Sequence, residues 1–378
     1  MRVLIMSVTA GGGHNSTAAA IESGLRAGGA ECHVLDTLKY INSLLDFTVS
    51  EGYLFVTKRL KKLYGTSYRA AEKRRATGDR MSAARLEWSI LSRRLRVYLD
   101  EYDPDVIVFT HVFVGIMLDH IKEKWGLRAK TVGILTDFAF HPYWEEAKHL
   151  DFVVTADKTL DYQAFGKGYK PEQILPFGIP VNPKFAVKHD KTEMRQKLGL
   201  DPGKPVVLFM GGSMGYGNMA ENVKKLDGLD RDFQIIAVCG SNKKALESMK
   251  GTEFKKKVLS FGFVKNVDEL MDAADILITK PGGLTTSESL TKGLPMIIVN
   301  PIPGQEDQNT EFLLNNGAAA AVTKGYSLEE AVYNLVTSPE RIRNMEDAIS
   351  ILRKPNATND ICRFVLDGCV RKPETAYN

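Results

Sequence analysis

The chain has 378 residues, 44% hydrophobic and 25% charged, with a formal net charge of +4. That length accommodates two ordinary domains, and the composition excludes a disordered or fibrous chain. Four cysteines, at 32, 239, 362 and 369, show no C-x-x-C spacing, which argues against a disulfide scaffold or zinc ribbon and for a reducing, cytosolic compartment.

The chain opens on an apolar run, residues 2–8, that reads as a buried strand and not as a signal peptide. It leads into Gly11-Gly12-Gly13-His14. The carboxyl end of a strand is where ligands of open α/β sheets collect, so Gly13 and His14 are candidate site residues. A capping or merely exposed histidine also accounts for His14. The loop is neither G-x-G-x-x-G nor a Walker A sequence, which disfavours a dinucleotide or ATP. Further β-branched runs at 32–36, 105–111, 130–137 and 152–155 alternate with helical patterns and predict a parallel, helix-covered sheet.

Residues 40–99 form an insert far longer than one βα unit requires. From 58 to 96 it holds thirteen basic and three acidic residues, a net +10, so the rest of the chain sums to −6. Lys58, Arg59, Lys61 and Lys62 interleave with Leu54, Phe55, Leu60, Leu63 and Tyr64. This pattern suits an anionic membrane surface. No nucleic-acid motif accompanies it, so no nucleic-acid partner is expected. Ala84, Trp88, Leu91, Leu95 and Tyr98 fall on one helical stripe that packs into the domain. No run of about 18 apolar residues exists to span a bilayer, so membrane contact is expected to be peripheral.

The run at 130–137 ends in Thr136-Asp137, followed by Phe138-Ala139-Phe140-His141-Pro142-Tyr143-Trp144. A carboxylate at a strand end, backed by aromatics, belongs in a cleft, although a helix N-cap also explains Asp137. Tyr143 and Trp144 read as an acceptor wall or as core anchors. A proline- and glycine-rich linker at 177–183 separates this half from a second alternating set of apolar runs at 205–212, 234–240, 257–264, 276–279 and 296–299. Domains are therefore expected at 1–180 and 181–354, with helical sequence at 355–378. Cys362 and Cys369, a heptad apart, are expected on one helix face.

In the second half, Gly211, Gly212 and Ser213 form a glycine loop suited to close approach of a phosphate. Pro281-Gly282-Gly283 breaks the run at 276–279 ahead of a helix expected at 285–292, whose first N–H groups attract anions. Gly282, Gly283, Leu284 and Thr285 line that turn, and Glu288 is placed to accept from ribose hydroxyls. Gln305, Glu306 and Asn309 come after the next strand and are candidates for gripping sugar hydroxyls. The Asp103-Pro-Asp105 and Asp230-Arg-Asp232 triplets precede strands in turn-like contexts, so no metal site is read from them.

Taken together, GGGH, the TD-aromatic-HPxW segment, PGG with Glu288, and Pro303-Gly304-Gln305-Glu306-Asp307-Gln308-Asn309 resemble glycosyltransferase family 28, in its monogalactosyldiacylglycerol synthase and processive diacylglycerol glucosyltransferase type. The resemblance covers most of the chain and is weakest in the insert. It implies a GT-B architecture: two Rossmann-like, doubly wound parallel-sheet domains facing a cleft, with the C-terminal helix returning to the first domain. It also implies an inverting, metal-independent transfer of hexose from a UDP-sugar to a diacylglycerol-type lipid at the cytoplasmic face of the membrane. Gly262, Phe263 and Val264 would read the uracil, and Tyr143, Trp144 and the insert's cations would face the acceptor and membrane. His14 is the first choice for general base, because its ordinary pKa lies near neutrality. Asp137 either orients it or is the base itself. A lipid II-type N-acetylglucosaminyltransferase, a UDP-sugar epimerase of the same fold, and a UDP-sugar-sensing membrane regulator without turnover remain as other readings.

Overall fold

The computed structural model describes residues 1–9, 12–41, 83–211 and 218–370. The chain divides into two compact units, Met1–Asn182 with Asn356–Asn378, and Pro183–Pro355.

The first unit has strands β1 (Arg2–Ser7), β2 (Glu31–Asp36), β3 (Val106–Phe109), β4 (Lys130–Ile134), β5 (Phe152–Val154) and β6 (Ile174–Leu175). They form one parallel sheet in the order β2-β1-β3-β4-β5-β6. Val3 to Met6 and Val106 to Phe109 are all at most 2% exposed. Both sheet faces are therefore covered, which is why these strands read as unbroken apolar runs. On one face Val3, Ile5, Val106, Val108, Val132 and Ile134 pack with Ile21 and Leu25 of helix Gly12–Ala27. The same cluster takes in Ile361, Phe364 and Val365 of helix Ala357–Leu366. These two helices approach closely at Gly24, where a Cβ would lie 2.6 Å from Cys362 Sγ. Phe364 meets Phe152 edge-on at 4.9 Å.

The second unit has β7 (Val206–Met210), β8 (Gln234–Val238), β9 (Val258–Phe261), β10 (Ile276–Thr279), β11 (Met296–Ile298) and β12 (Ala319–Ala321). Its parallel order is β12-β11-β10-β7-β8-β9. In both units the first strand sits inside the sheet, and the winding reverses beside it. The reversal falls between β1 and β3 in the first unit and between β7 and β10 in the second. Such reversals open a crevice at the strands' carboxyl ends, and that is where ligands bind in this class of sheet.

The ten expected strands are present, eight of them with shortened ends; β10 keeps its expected bounds and β2 begins one residue earlier. The run at 130–137 stops at Ile134, after which Leu135 N–H still donates to the Val154 carbonyl before the chain bends at Asp137. Two strands had no readable signal: β6 has two residues, and β12 is three alanines without a branched side chain. The helix expected at 285–292 starts two residues earlier, at Gly283.

One packing expectation is corrected. Cys362 and Cys369 are both buried, but they share no helix face. The helix ends at Leu366, Gly368 turns the chain with φ 74°, and Cys369 itself has φ 61°. Of the expected stripe in helix Ala83–Tyr102, Leu95 is buried and Tyr98 half-buried. Lys58, Arg59, Lys61 and Lys62 lie outside the described residues, as do Gly212 and Ser213. Among the described residues no helix is long and apolar enough to cross a membrane.

Candidate functional site

In the first unit the reversal point is bordered by the segments directly after β1 and β3. Helix Gly12–Ala27 begins at the end of the first glycine loop and carries Gly13 and His14 in its first turn. A Cβ built at Gly13 meets nothing within 4 Å, so the protein's own packing does not require glycine there. The open space is available to a ligand. The loop is tied from behind: Ser7 donates to Asn15, Asn15 to Thr9, and Thr9 to the Asp36 carboxylate at the end of β2.

His14 Nδ1 lies 2.8 Å from the Thr110 carbonyl, one residue past β3. A carbonyl only accepts, so Nδ1 carries the proton and Nε2 holds the lone pair. Burial lowers the imidazole's pKa to about 4, partly offset by the Thr110 bond. The ring is thus neutral at pH 7, with its unprotonated nitrogen at Nε2. Because a backbone carbonyl holds Nδ1, Asp137 does not orient the ring through that atom. Next to His14 stands His111, with ring centroids 4.8 Å apart. His111 is the N-cap of helix Val112–Trp125, its Nδ1 accepting from Phe113 N–H.

Asp137 lies in the bend after β4, half-buried, and caps no helix. The cap of the next element, the 3₁₀ helix Pro142–Ala147, is His141, whose Nδ1 accepts from Tyr143 N–H. Burial lowers His141 to about 4, and nearby Lys167 adds to this. Trp144 corrects the acceptor-wall expectation. It is 4% exposed and packs on Phe109 at 6.0 Å and Phe140 at 6.4 Å. Gly133 makes room for it, since a Cβ there would fall 2.6 Å from Phe109 Cζ and 3.1 Å from Trp144 Cζ3. Trp144 is therefore a core anchor that fixes the His141 segment, while Tyr143 stays half-exposed beside it.

In the second unit the reversal point lies between β7, which leads to buried Gly211, and β10, which leads to Lys280-Pro281-Gly282. Gly282 is the N-cap of helix Gly283–Lys292 and has no side-chain capping bond. A Cβ at Gly282 also meets nothing within 4 Å, so the helix N-terminus opens onto free space. Leu284, Thr285 and Glu288 come next, all half-exposed. Among the described residues no side chain hydrogen-bonds the Glu288 carboxyl. Burial raises its pKa to about 8; Lys184 opposes this shift and Asp268 adds to it. After β9, Gly262 and Val264 are half-buried and Phe263 stands 71% exposed.

Gln305, Glu306 and Asn309 lie on helix Gln305–Asn315, and two of them do different work from that expected. Glu306 pairs with Lys280 at 2.7 Å and accepts from Ile302 N–H. Asn309 is fully buried and donates to the Pro281 carbonyl at 2.9 Å. They brace the Lys280-Pro281 turn from behind, and Gln305 is half-exposed at the start of the helix. Lys280, His111 and the capping role of His141 were not anticipated. The available signal was position, since Lys280 comes directly after a strand, His111 two residues after one and His141 after the bend beyond one, at the ligand-bearing edge.

Asp119, Glu123 and His149 bring ligand atoms within 4.8 Å of one another. Asp119 is already committed there, accepting from both the backbone N–H and the ring of His149. Of the Asp-x-Asp carboxylates, Asp105 accepts from Arg2 N–H, Asp103 pairs with Arg128 and Asp232 with Lys204.

The family model of monogalactosyldiacylglycerol (MGDG) synthase matches residues 14–181, and that of the glycosyltransferase family 28 C-terminal domain matches residues 206–361. The processive diacylglycerol beta-glucosyltransferase of Bacillus pumilus is 28% identical over 372 residues, 97% of this chain and 94% of the relative. The protein of that name from Bacillus licheniformis is 30% identical over 281 residues, 73% of this chain and 72% of the relative. Among solved structures, Acinetobacter baumannii MurG aligns with a TM-score of 0.66 at 16% identity, covering 97% of this chain and 99% of its own; this likeness concerns the GT-B fold. With both units built as doubly wound parallel sheets and both halves matched, the chain is a GT-B glycosyltransferase that belongs to family 28, in its diacylglycerol-glycosylating branch.

Proposed function

We propose that the protein moves a hexose from UDP-glucose or UDP-galactose to the hydroxyl of diacylglycerol or a glycosyldiacylglycerol, with inversion and without a metal cofactor. The carrying observation is His14. Its Nδ1 is locked to a backbone carbonyl, which leaves the lone pair on Nε2, at a sheet-reversal point, in a chain similar along 97% of its length to a processive diacylglycerol beta-glucosyltransferase. That relative's name puts glucose first among the donors to test.

In this reading the acceptor O–H gives its proton to His14 Nε2 as its oxygen bonds to the anomeric carbon. The bond from that carbon to the diphosphate breaks, and its electron pair leaves with UDP. A positioned general base contributes roughly 10²–10⁴-fold. The N–H groups at Gly283, Leu284 and Thr285 and the helix dipole receive the charge on the leaving diphosphate, which is the service a metal ion would otherwise supply. Glu288 takes the ribose hydroxyls, Phe263 and the backbone at Gly262 and Val264 take the uracil, and Gln305 meets the sugar. Asp137 is the alternative base.

The insert's +10 charge supports a peripheral position on the cytoplasmic face of a membrane. Each Lys or Arg near an anionic surface contributes roughly 1 kcal/mol. Two measurements test the reading. Product anomeric configuration should be inverted relative to the donor, with rate unaffected by EDTA. The protein should also co-sediment with phosphatidylglycerol vesicles at low salt. A retained configuration or a chelator-sensitive rate contradicts the mechanism, and failure to co-sediment contradicts the membrane placement.

A further inference from the structure

We propose that Lys184 is a positioning residue of the nucleotide site: its ammonium fixes the turn after β9, which takes the uracil, against the start of the next helix and beside Glu288, which takes the ribose. The inference rests on the donor reading above and extends it to a residue that reading does not use.

Lys184 lies in the 3₁₀ helix Pro183–Ala186. Its ammonium donates to the carbonyl of Lys265, 81 residues away and directly after Val264. It also pairs with the Asp268 carboxylate at 2.7 Å. Asp268 is in the first turn of helix Val267–Ala273. One side chain thus ties the exit of the Gly262–Val264 turn to the helix that follows it. The 3₁₀ helix and helix Val267–Ala273 both pack on helix Gly283–Lys292, which carries Glu288. The Glu288 carboxyl is near enough to feel both partners of the pair: Lys184 favours its ionised form and Asp268 its neutral form. Lys184 therefore holds the end of the segment assigned to the base and lies beside the carboxyl assigned to the ribose.

The fold has little need of this bond for stability. Asp268 and Asp272 are buried one turn apart on helix Val267–Ala273, and a lysine holds each. Lys292 meets Asp272 with both side chains enclosed, and it also donates to the Val187 carbonyl just past the 3₁₀ helix. That pair already joins the three elements. The Lys184 side chain is instead 36% exposed, and an ion pair with one partner so open to water contributes little to stability. What Lys184 adds is position. It pins a main-chain carbonyl one residue beyond the turn that carries exposed Phe263. With that carbonyl released, the nucleotide itself would have to order the turn, at the expense of affinity.

The test is UDP binding by calorimetry on the full chain, which needs no acceptor lipid. Lys184→Met should weaken UDP about tenfold and raise the donor KM to match, with kcat and the melting midpoint little changed. Lys184→Arg keeps a cation that donates to both a carboxylate and a carbonyl, and it should restore most of the affinity. Inorganic pyrophosphate has no nucleoside, so as a competitor it should bind the parent and the Met variant alike. UDP affinity equal in parent and Met variant, a loss as large for pyrophosphate as for UDP, or an Arg variant no better than Met overturns the proposal. So does a melting midpoint that falls as far in Lys184→Met as in Lys292→Met, because the residue is then a structural anchor. A parent that binds no UDP overturns both this assignment and the donor reading. A parent that binds UDP with the expected pattern, yet moves no hexose to diacylglycerol, upholds the assignment and defeats the transfer.

Discussion

Helix Gly283–Lys292, whose N-terminus forms the donor turn, is anchored at its other end by a buried charge. Lys292 and Asp272 form an ion pair with side chains 1% and 2% exposed. Lys292 also donates to the Val187 carbonyl, and Asp272 accepts from the backbone N–H and ring of His189. The pair joins this helix to Val267–Ala273. Lys292→Met leaves the Asp272 charge buried without its cation, a loss of about 3–5 kcal/mol for a pair this deep. For a unit of this size that corresponds to a fall in melting midpoint of roughly 6–20 °C. The His189 bonds to Asp272 survive the change and favour the lower end. Far-UV circular dichroism should show the shift. All three tryptophans (88, 125 and 144) lie in the first unit, so their fluorescence reports the other half of the chain. Adding Asp272→Leu should return most of the stability, because an apolar pair needs no desolvation of charge. UDP affinity should fall with the single variant and recover with the double. An unchanged midpoint in Lys292→Met, or a double variant no better than the single, would refute the claim that this pair anchors the donor helix.

His14→Ala should lower turnover by roughly 10²–10⁴-fold while leaving UDP affinity within a factor of about two. Because burial holds the imidazole near 4, the acid limb of kcat/KM in the parent should lie near pH 4; a limb at 6.5 contradicts the desolvated geometry. Glu288→Gln should weaken UDP binding about tenfold in calorimetry, as expected for a lost hydrogen bond. Since the folded carboxyl titrates near 8, above its ordinary value of 4.5, the parent loses stability as pH rises through that window. The Gln variant should therefore gain stability relative to the parent from pH 5 to 9, and parallel pH profiles would count against this. Gly133→Ala should cost about 1–3 kcal/mol by crowding Phe109 and Trp144, with a matching drop in the denaturant midpoint.

The sheet architecture was legible because parallel strands covered on both faces, such as β1 and β10, are written as bare apolar runs. Their ends were not, since a strand stops where its last ladder bond does, and the residues beyond, such as Thr136 and Asp137, look no different in composition. The site residues that could be read directly were those next to glycines: His14 after its loop, and Glu288 a turn beyond Gly283. Glu306 and Asn309 were located correctly along the chain, but their bonds to Lys280 and the Pro281 carbonyl depend on two loops meeting in space. The same holds for His111 and His141. Each is a single histidine after a strand or bend, and only the backbone groups facing them reveal where their protons sit. Trp144 read equally as wall or anchor until Gly133 and Phe109 were found beneath it.

The central claim is the transfer itself. Purified protein is incubated with radiolabelled UDP-glucose and, separately, UDP-galactose, in the presence of vesicles containing diacylglycerol, and the organic phase is counted. Label should enter the lipid phase from at least one donor, only when diacylglycerol is present, and should disappear with His14→Ala. Label that stays in the aqueous phase with both donors, or enters lipid equally well with His14→Ala, contradicts the account.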